Sequence, residues 1–182
     1  MAIPSFFSFL KSAPTAHHAV SEMERILREE GFRQLDDEAG LERGEGYILR
    51  RGTGFLAAFR PGAEPLANAG ARVAVAHSDS PAMQLKVRGL SESGKLRTVP
   101  VEVYGSPIIS TWLDRPLEIA GTVAMRGADG VELHPIRTGS AVAVIPNLAI
   151  HLNRKVNEDF TYDKQTHLRP LLDEELVRNR SI

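Results

Sequence analysis

The chain contains six histidines and no cysteine. Thiol chemistry is therefore excluded: no disulfide framework, no Cys-type zinc site, no thiol nucleophile. The histidines are where chemistry is to be sought, and His77 differs from the rest. It shares the motif His77-Ser78-Asp79 with a carboxylate two residues on. Imidazole is a good ligand for zinc and similar metals, and a ligating ring usually has its second nitrogen held by a carboxylate or a carbonyl. A His-x-Asp unit can supply both parts. Spacing alone leaves the question open, because His-x-Asp arises often by chance and a loop histidine with satisfied hydrogen bonds is the commoner outcome. One histidine does not hold a catalytic metal, which takes three or more protein ligands. No HExxH helix is present to supply the others.

The other rings are less informative. His17 and His18 are adjacent on an expected helix and point in different directions, one toward solvent and one toward the core edge. His134 precedes Pro135, and His167 lies in a polar segment. For these four, structural or solvated roles are expected. His151 could be core, interface or site. Thr111-Trp112-Leu113-Asp114-Arg115 holds the only tryptophan. Its bland reading is a Trp anchoring a packed interface, with Asp114 and Arg115 able to lock a loop. There is no GxGxxG, no GxxxxGK[ST] and no GxSxG.

The elements that must position these residues follow from periodicity. A short amphipathic helix with Pro4 near its first turn opens the chain. Ala16, Ala19, Val20, Met23, Ile26 and Leu27 recur at helical spacing, so a second helix is expected from about Thr15, a plausible N-cap, to Glu30, with Gly31 as its stop. Tyr47–Arg51 and Phe55–Phe59 read as strands joined through Gly52-Thr53-Gly54. The apolar run 71–76 predicts a strand covered on both faces, as at the centre of an α/β sheet. It places His77 and Asp79 at a strand's carboxyl end, where such sheets bind ligands. From Val87 onward the segments are β-type: 95–104, 117–125, a turn at 127–130, 131–136 and 140–145. A short helix carrying Leu148 and Leu152 is expected next, and an amphipathic tail over 171–180 could be helical. The domain reading is 1–86 as an α/β part and 87–182 as a β-rich part.

With 182 residues, one domain or two small ones fit. Lys and Arg number 22 against 23 Asp and Glu, a net charge of −1. That balance argues against an electrostatic grip on nucleic acid or an anionic membrane. No secretion or membrane-spanning signal is evident, so a cytoplasmic location is the expectation.

Together the motifs resemble a known family. Ala76-His77-Ser78-Asp79-Ser80-Pro81 resembles the A-H-T-D-S-P segment of the M18 zinc aminopeptidases, the aspartyl aminopeptidase group. Val101-Glu102-Val103-Tyr104-Gly105 with Thr111-Trp112-Leu113-Asp114-Arg115 resembles its V-E-V-Y-G…T-W-F-D-R. Residues 145–154 match I-P-N-L-A-I-H-L-N-R, and Pro14 to Val20 is similar to S-P-T-P-F-H-A-V. Ser78, Leu113, Ser106-Pro107 and Pro116 depart from the pattern, the last two where loops near an active site would be reshaped.

The resemblance implies part of a zinc-peptidase-type α/β catalytic domain followed by an inserted β-rich dimerisation domain, incomplete here. It implies removal of N-terminal, acidic residues from peptides by zinc-activated water, with two zinc ions in the complete site. By position, His77 would be a zinc ligand, Asp79 the catalytic-site carboxylate that orients it, and His151 the substrate-contacting histidine that reaches into a neighbouring subunit. The family's remaining ligands follow the inserted domain. The expectation is therefore a truncated or split form, inactive alone, with peptide substrates, a homo-oligomeric assembly and a separately encoded C-terminal portion as partners. The competing expectation is a non-catalytic oligomerisation module derived from such a peptidase.

Overall fold

The structure is a computed structural model and describes residues 6–36, 40–93, 96–128 and 130–172. In chain order the elements are helices α1 (Phe6–Ser12) and α2 (Ala16–Glu29), then strands β1 (Arg33–Gln34), β2 (Tyr47–Arg51) and β3 (Phe55–Phe59). A short helix α3 (Leu66–Ala69) precedes β4 (Ala82–Leu85), β5 (Ser91–Ser93), β6 (Leu96–Thr98) and β7 (Val101–Tyr104). After a 3₁₀ turn, Ile109–Trp112, come β8 (Pro116–Leu117), β9 (Ala120–Gly127), β10 (Gly130–Arg137), β11 (Ala143–Val144) and β12 (Leu171–Leu172). The chain divides into two compact units, one of residues 1–79 with 121–135, the other of 80–120 with 136–182.

In the first unit, α2 starts where Thr15 caps it. The Thr15 hydroxyl accepts from the His18 amide at 3.4 Å and lies 2.8 Å from His18 Nδ1. The helix ends at Gly31, whose φ of +82° is open to glycine at little cost. Its polar side carries ion pairs at helical spacing, Arg25 with Glu22 and Arg28 with Glu24. Its apolar side buries Ala19 and Val20. Arg50 of β2 reaches Glu24 at 2.6 Å and ties the helix to the sheet. The sheet runs β1-β2-β3, with β1 parallel and β3 antiparallel to β2, so that Tyr47 faces Phe59 and Arg51 faces Phe55. The Tyr47 and Phe59 rings stack 5.5 Å apart. Gly46 accepts the Phe32 ring so closely that a Cβ there would lie 2.7 Å from it. Tyr47 and Ile48 are buried.

The second unit holds a five-stranded sheet in the order β5-β6-β12-β11-β8 and a β4-β7 pair. Its core is Val101, Leu113, Ile145 and Leu168, with Met83, Ile109, Trp112 and Tyr162 packed against them.

Four expectations need correction or bounding. Residues 71–76 form no strand: they join no ladder and make no hydrogen bond among the described residues. Val73 and Val75 are 76% and 89% exposed. A continuous apolar run signals burial on both faces, but a ladder exists only where a neighbouring backbone supplies its other half. The helix expected after Ile145 is a turn at 150–152. The strand expected over 117–125 is broken, β8 ending at Leu117 and β9 starting at Ala120. Of the tail, Leu171 and Leu172 are strand rather than helix, and 173–180 lies outside the described residues, as do Pro4, Lys95 and Asp129.

Candidate functional site

His77 and Asp79 lie just past the unpaired run 71–76. The His77 ring is 82% exposed, while its Nδ1 is 2.8 Å from the Asp79 carbonyl oxygen and 3.2 Å from Asp79 Oδ1. Both partners are acceptors, so Nδ1 must carry the proton and donate. A neutral ring held this way presents the bare lone pair of Nε2 to solvent. That tautomer suits a metal ligand, with the carboxylate holding and orienting the ring from behind.

His77 and Ser78 also border a wide groove of about 1430 Å³ in the same unit. Val20 and Met23 of α2, Phe55 and Phe59 of β3, and Val73 and Val75 line it. Arg43, Arg60, Glu64 and Arg72 are charged residues of its lining to which sequence patterning gave no role. Their signal is weak, since each is a lone charge in a loop or at a strand's end.

His77 with Asp79 fits one ligand and its supporting carboxylate. Among the described residues no three His, Cys, Asp or Glu side chains gather to hold an ion. The described residues therefore do not make up a zinc site by themselves.

His151 belongs to the second unit and is exposed. It sits in the turn where the Leu152 amide donates to the Ala149 carbonyl at 2.8 Å. Leu148, Ile150 and Leu152 around it are exposed as well. The remaining rings have local explanations. His17 and His18 are both half-buried, so neither faces solvent fully, and His17 Nδ1 is buried with no hydrogen-bond partner among the described residues. His134 Nε2 is 3.2 Å from Glu132. His167 stacks on Phe160 and its Nδ1 accepts from the Asp163 amide at 3.0 Å. The Asp163 carboxyl is held below the usual range by the Thr166 hydroxyl and by the amides of Thr166 and Gln165.

The model of the aminopeptidase I zinc metalloprotease (M18) family matches residues 9–180. The chain belongs to the M18 family. A probable M18 family aminopeptidase 2 of Pseudomonas paraeruginosa is 36% identical over 192 aligned positions, covering 96% of this chain and 44% of that protein. Another, from Clostridium novyi, is 34% identical and covered over 39% of its length. Among solved structures, a chain of the Ape4 and Nbr1 complex superposes with a TM-score of 0.85 at 30% identity, covering 97% of this chain and 35% of that one. An M18 aminopeptidase from Thermotoga maritima superposes with a TM-score of 0.75 at 30% identity, covering 91% and 37%. The mixed α/β architecture is thus that of M18 aminopeptidases, and the chain spans less than half the length of the relatives it matches.

Proposed function

We propose that this chain is the part of an M18 aminopeptidase that carries one zinc ligand, and that the complete enzyme removes N-terminal, preferably acidic, residues from peptides. The observation that carries the reading is the geometry at His77, whose Nδ1 lies 2.8 Å from the Asp79 carbonyl oxygen and 3.2 Å from its carboxylate while the ring is 82% exposed. In this reading His77 is the ligand and Asp79 raises its basicity and fixes its plane. His151 contacts substrate, acting on a neighbouring copy in a homo-oligomer. Two zinc ions, when bound, supply Lewis-acid polarisation and an acidified water. The described residues bring no three donor side chains together, so the remaining ligands of the site lie outside them. Cytoplasmic residence fits the reading, and among the described residues no helix is long and apolar enough to cross a membrane.

The test uses aspartyl and leucyl anilides with added zinc. The chain alone is expected to turn over neither. Mixed with the C-terminal remainder of an M18 relative, it should gain activity, with the aspartyl substrate preferred. His77→Ala should then abolish the gain, and Asp79→Asn should reduce it about 10- to 100-fold. Undiminished activity with His77→Ala in the mixture would overturn the reading. The competing reading is a non-catalytic assembly module. Oligomers that bind no zinc even after mixing would support that alternative.

A further inference from the structure

We propose that Asp114 is a positioning residue that fixes the loop from which His151 is presented. The inference rests on the reading of His151 as a substrate contact. Asp114 is the one described non-glycine residue with a positive φ, at +57°. That region disfavours most side chains and admits Asp and Asn best, because their short polar groups bond locally. Here the conformation turns the chain just past the buried Leu113, which bridges in parallel to the fully buried Ile145. The Asp114 amide donates to the Ile145 carbonyl at 2.8 Å. Asp114 Oδ1 then accepts the Asn147 amide, also at 2.8 Å, although 33 residues separate the two in sequence.

These bonds do different work. The Leu113–Ile145 contact belongs to the core and holds the strand end. The carboxylate bond lies outside the core, among exposed groups, one step nearer to His151. It governs the direction in which the chain leaves Ile145 and Pro146. Beyond it the loop closes on itself: Asn147 Oδ1 accepts the Leu148 amide at 2.9 Å, and the Leu152 and Asn153 amides both donate to the Ala149 carbonyl. His151 therefore rides on a closed turn whose stem is set by one carboxylate. A glycine at 114 would accept the positive φ and lose the acceptor. An asparagine would keep both.

Amide exchange and ring NMR on the full chain test this without any turnover. In the native chain the Asn147 amide should be protected. Asp114→Gly should speed its exchange about tenfold or more and shift the His151 ring signals, leaving those of His167 in place. Asp114→Asn should restore both. An unprotected Asn147 amide in the native chain, an Asp114→Gly variant with unchanged exchange, or an Asp114→Asn variant that fails to restore the His151 signals would each overturn the proposal. The native chain and the asparagine variant decide the matter even if the glycine variant does not fold. The aminopeptidase reading stands or falls separately, on the mixing experiment.

Discussion

A carbonyl and a carboxylate facing the same ring nitrogen leave a neutral histidine one tautomer, and His77 has both on Asp79. A second residue has an equally definite electrostatic role. Burial opposes ionisation of Glu24, but hydrogen bonds from Arg28 and Arg50, and the charges of both, outweigh it and hold the carboxyl below its ordinary 4.5. A depressed carboxylate stabilises the fold above the unfolded-state pKa and loses that contribution as pH falls through the folded-state value. Glu24→Gln should therefore cost roughly 1–2 kcal/mol at neutral pH, where two charged hydrogen bonds weaken. The difference from the native chain should shrink in acid, once pH has fallen through the lowered folded-state value. Urea unfolding at neutral pH and in acid checks this; a gap that persists in acid would mean the loss is one of packing.

At the scale of elements, the sequence announced what local chemistry decides. The α2 stripe, its Thr15 cap and the Gly31 stop lie within a few residues of one another, and the helix forms over Ala16–Glu29. The strands at 47–51 and 55–59 need only the turn between them, and both appear with those bounds. The run 71–76 has strand composition, yet its pairing depends on backbone from elsewhere. The turn at His151 was unreadable for a related reason. Leu148 and Leu152 have helical spacing, but Pro146 and the bond from Asn147 to distant Asp114 set the local path. At the site, His77 and Asp79 were legible as a pair two residues apart. The groove beside them was not, because it is formed by residues from Phe9 to Ser78. Val75→Lys should leave stability within about 0.5 kcal/mol of the native chain, since the side chain is already in water. It should reduce binding of an apolar dye and self-association. Unchanged dye binding would show that the run contributes little to the sticky surface.

For the whole molecule, the two units have separate buried sets, Ala19, Val20, Tyr47 and Ile48 in one and Val101, Leu113, Val142, Ile145 and Leu168 in the other. Ile145→Ala should weaken the second by about 2–4 kcal/mol through lost transfer energy and a residual cavity. Native-state exchange should report that loss at Val99 and Val142 and spare Tyr47 and Ile48. Equal losses at all four amides would mean that the chain unfolds as a single cooperative body. M18 membership rests on residues 9–180, whereas among the described residues no three donor side chains gather at one place.

The uncovered valines at 73 and 75 leave a thermal fingerprint. Association that removes them from water draws its drive from solvent entropy and lowers the heat capacity of the system. Contact made through this run should tighten as the solution warms from the cold and slacken on ice, so calorimetry at several temperatures can reveal its use before any occupant has been identified.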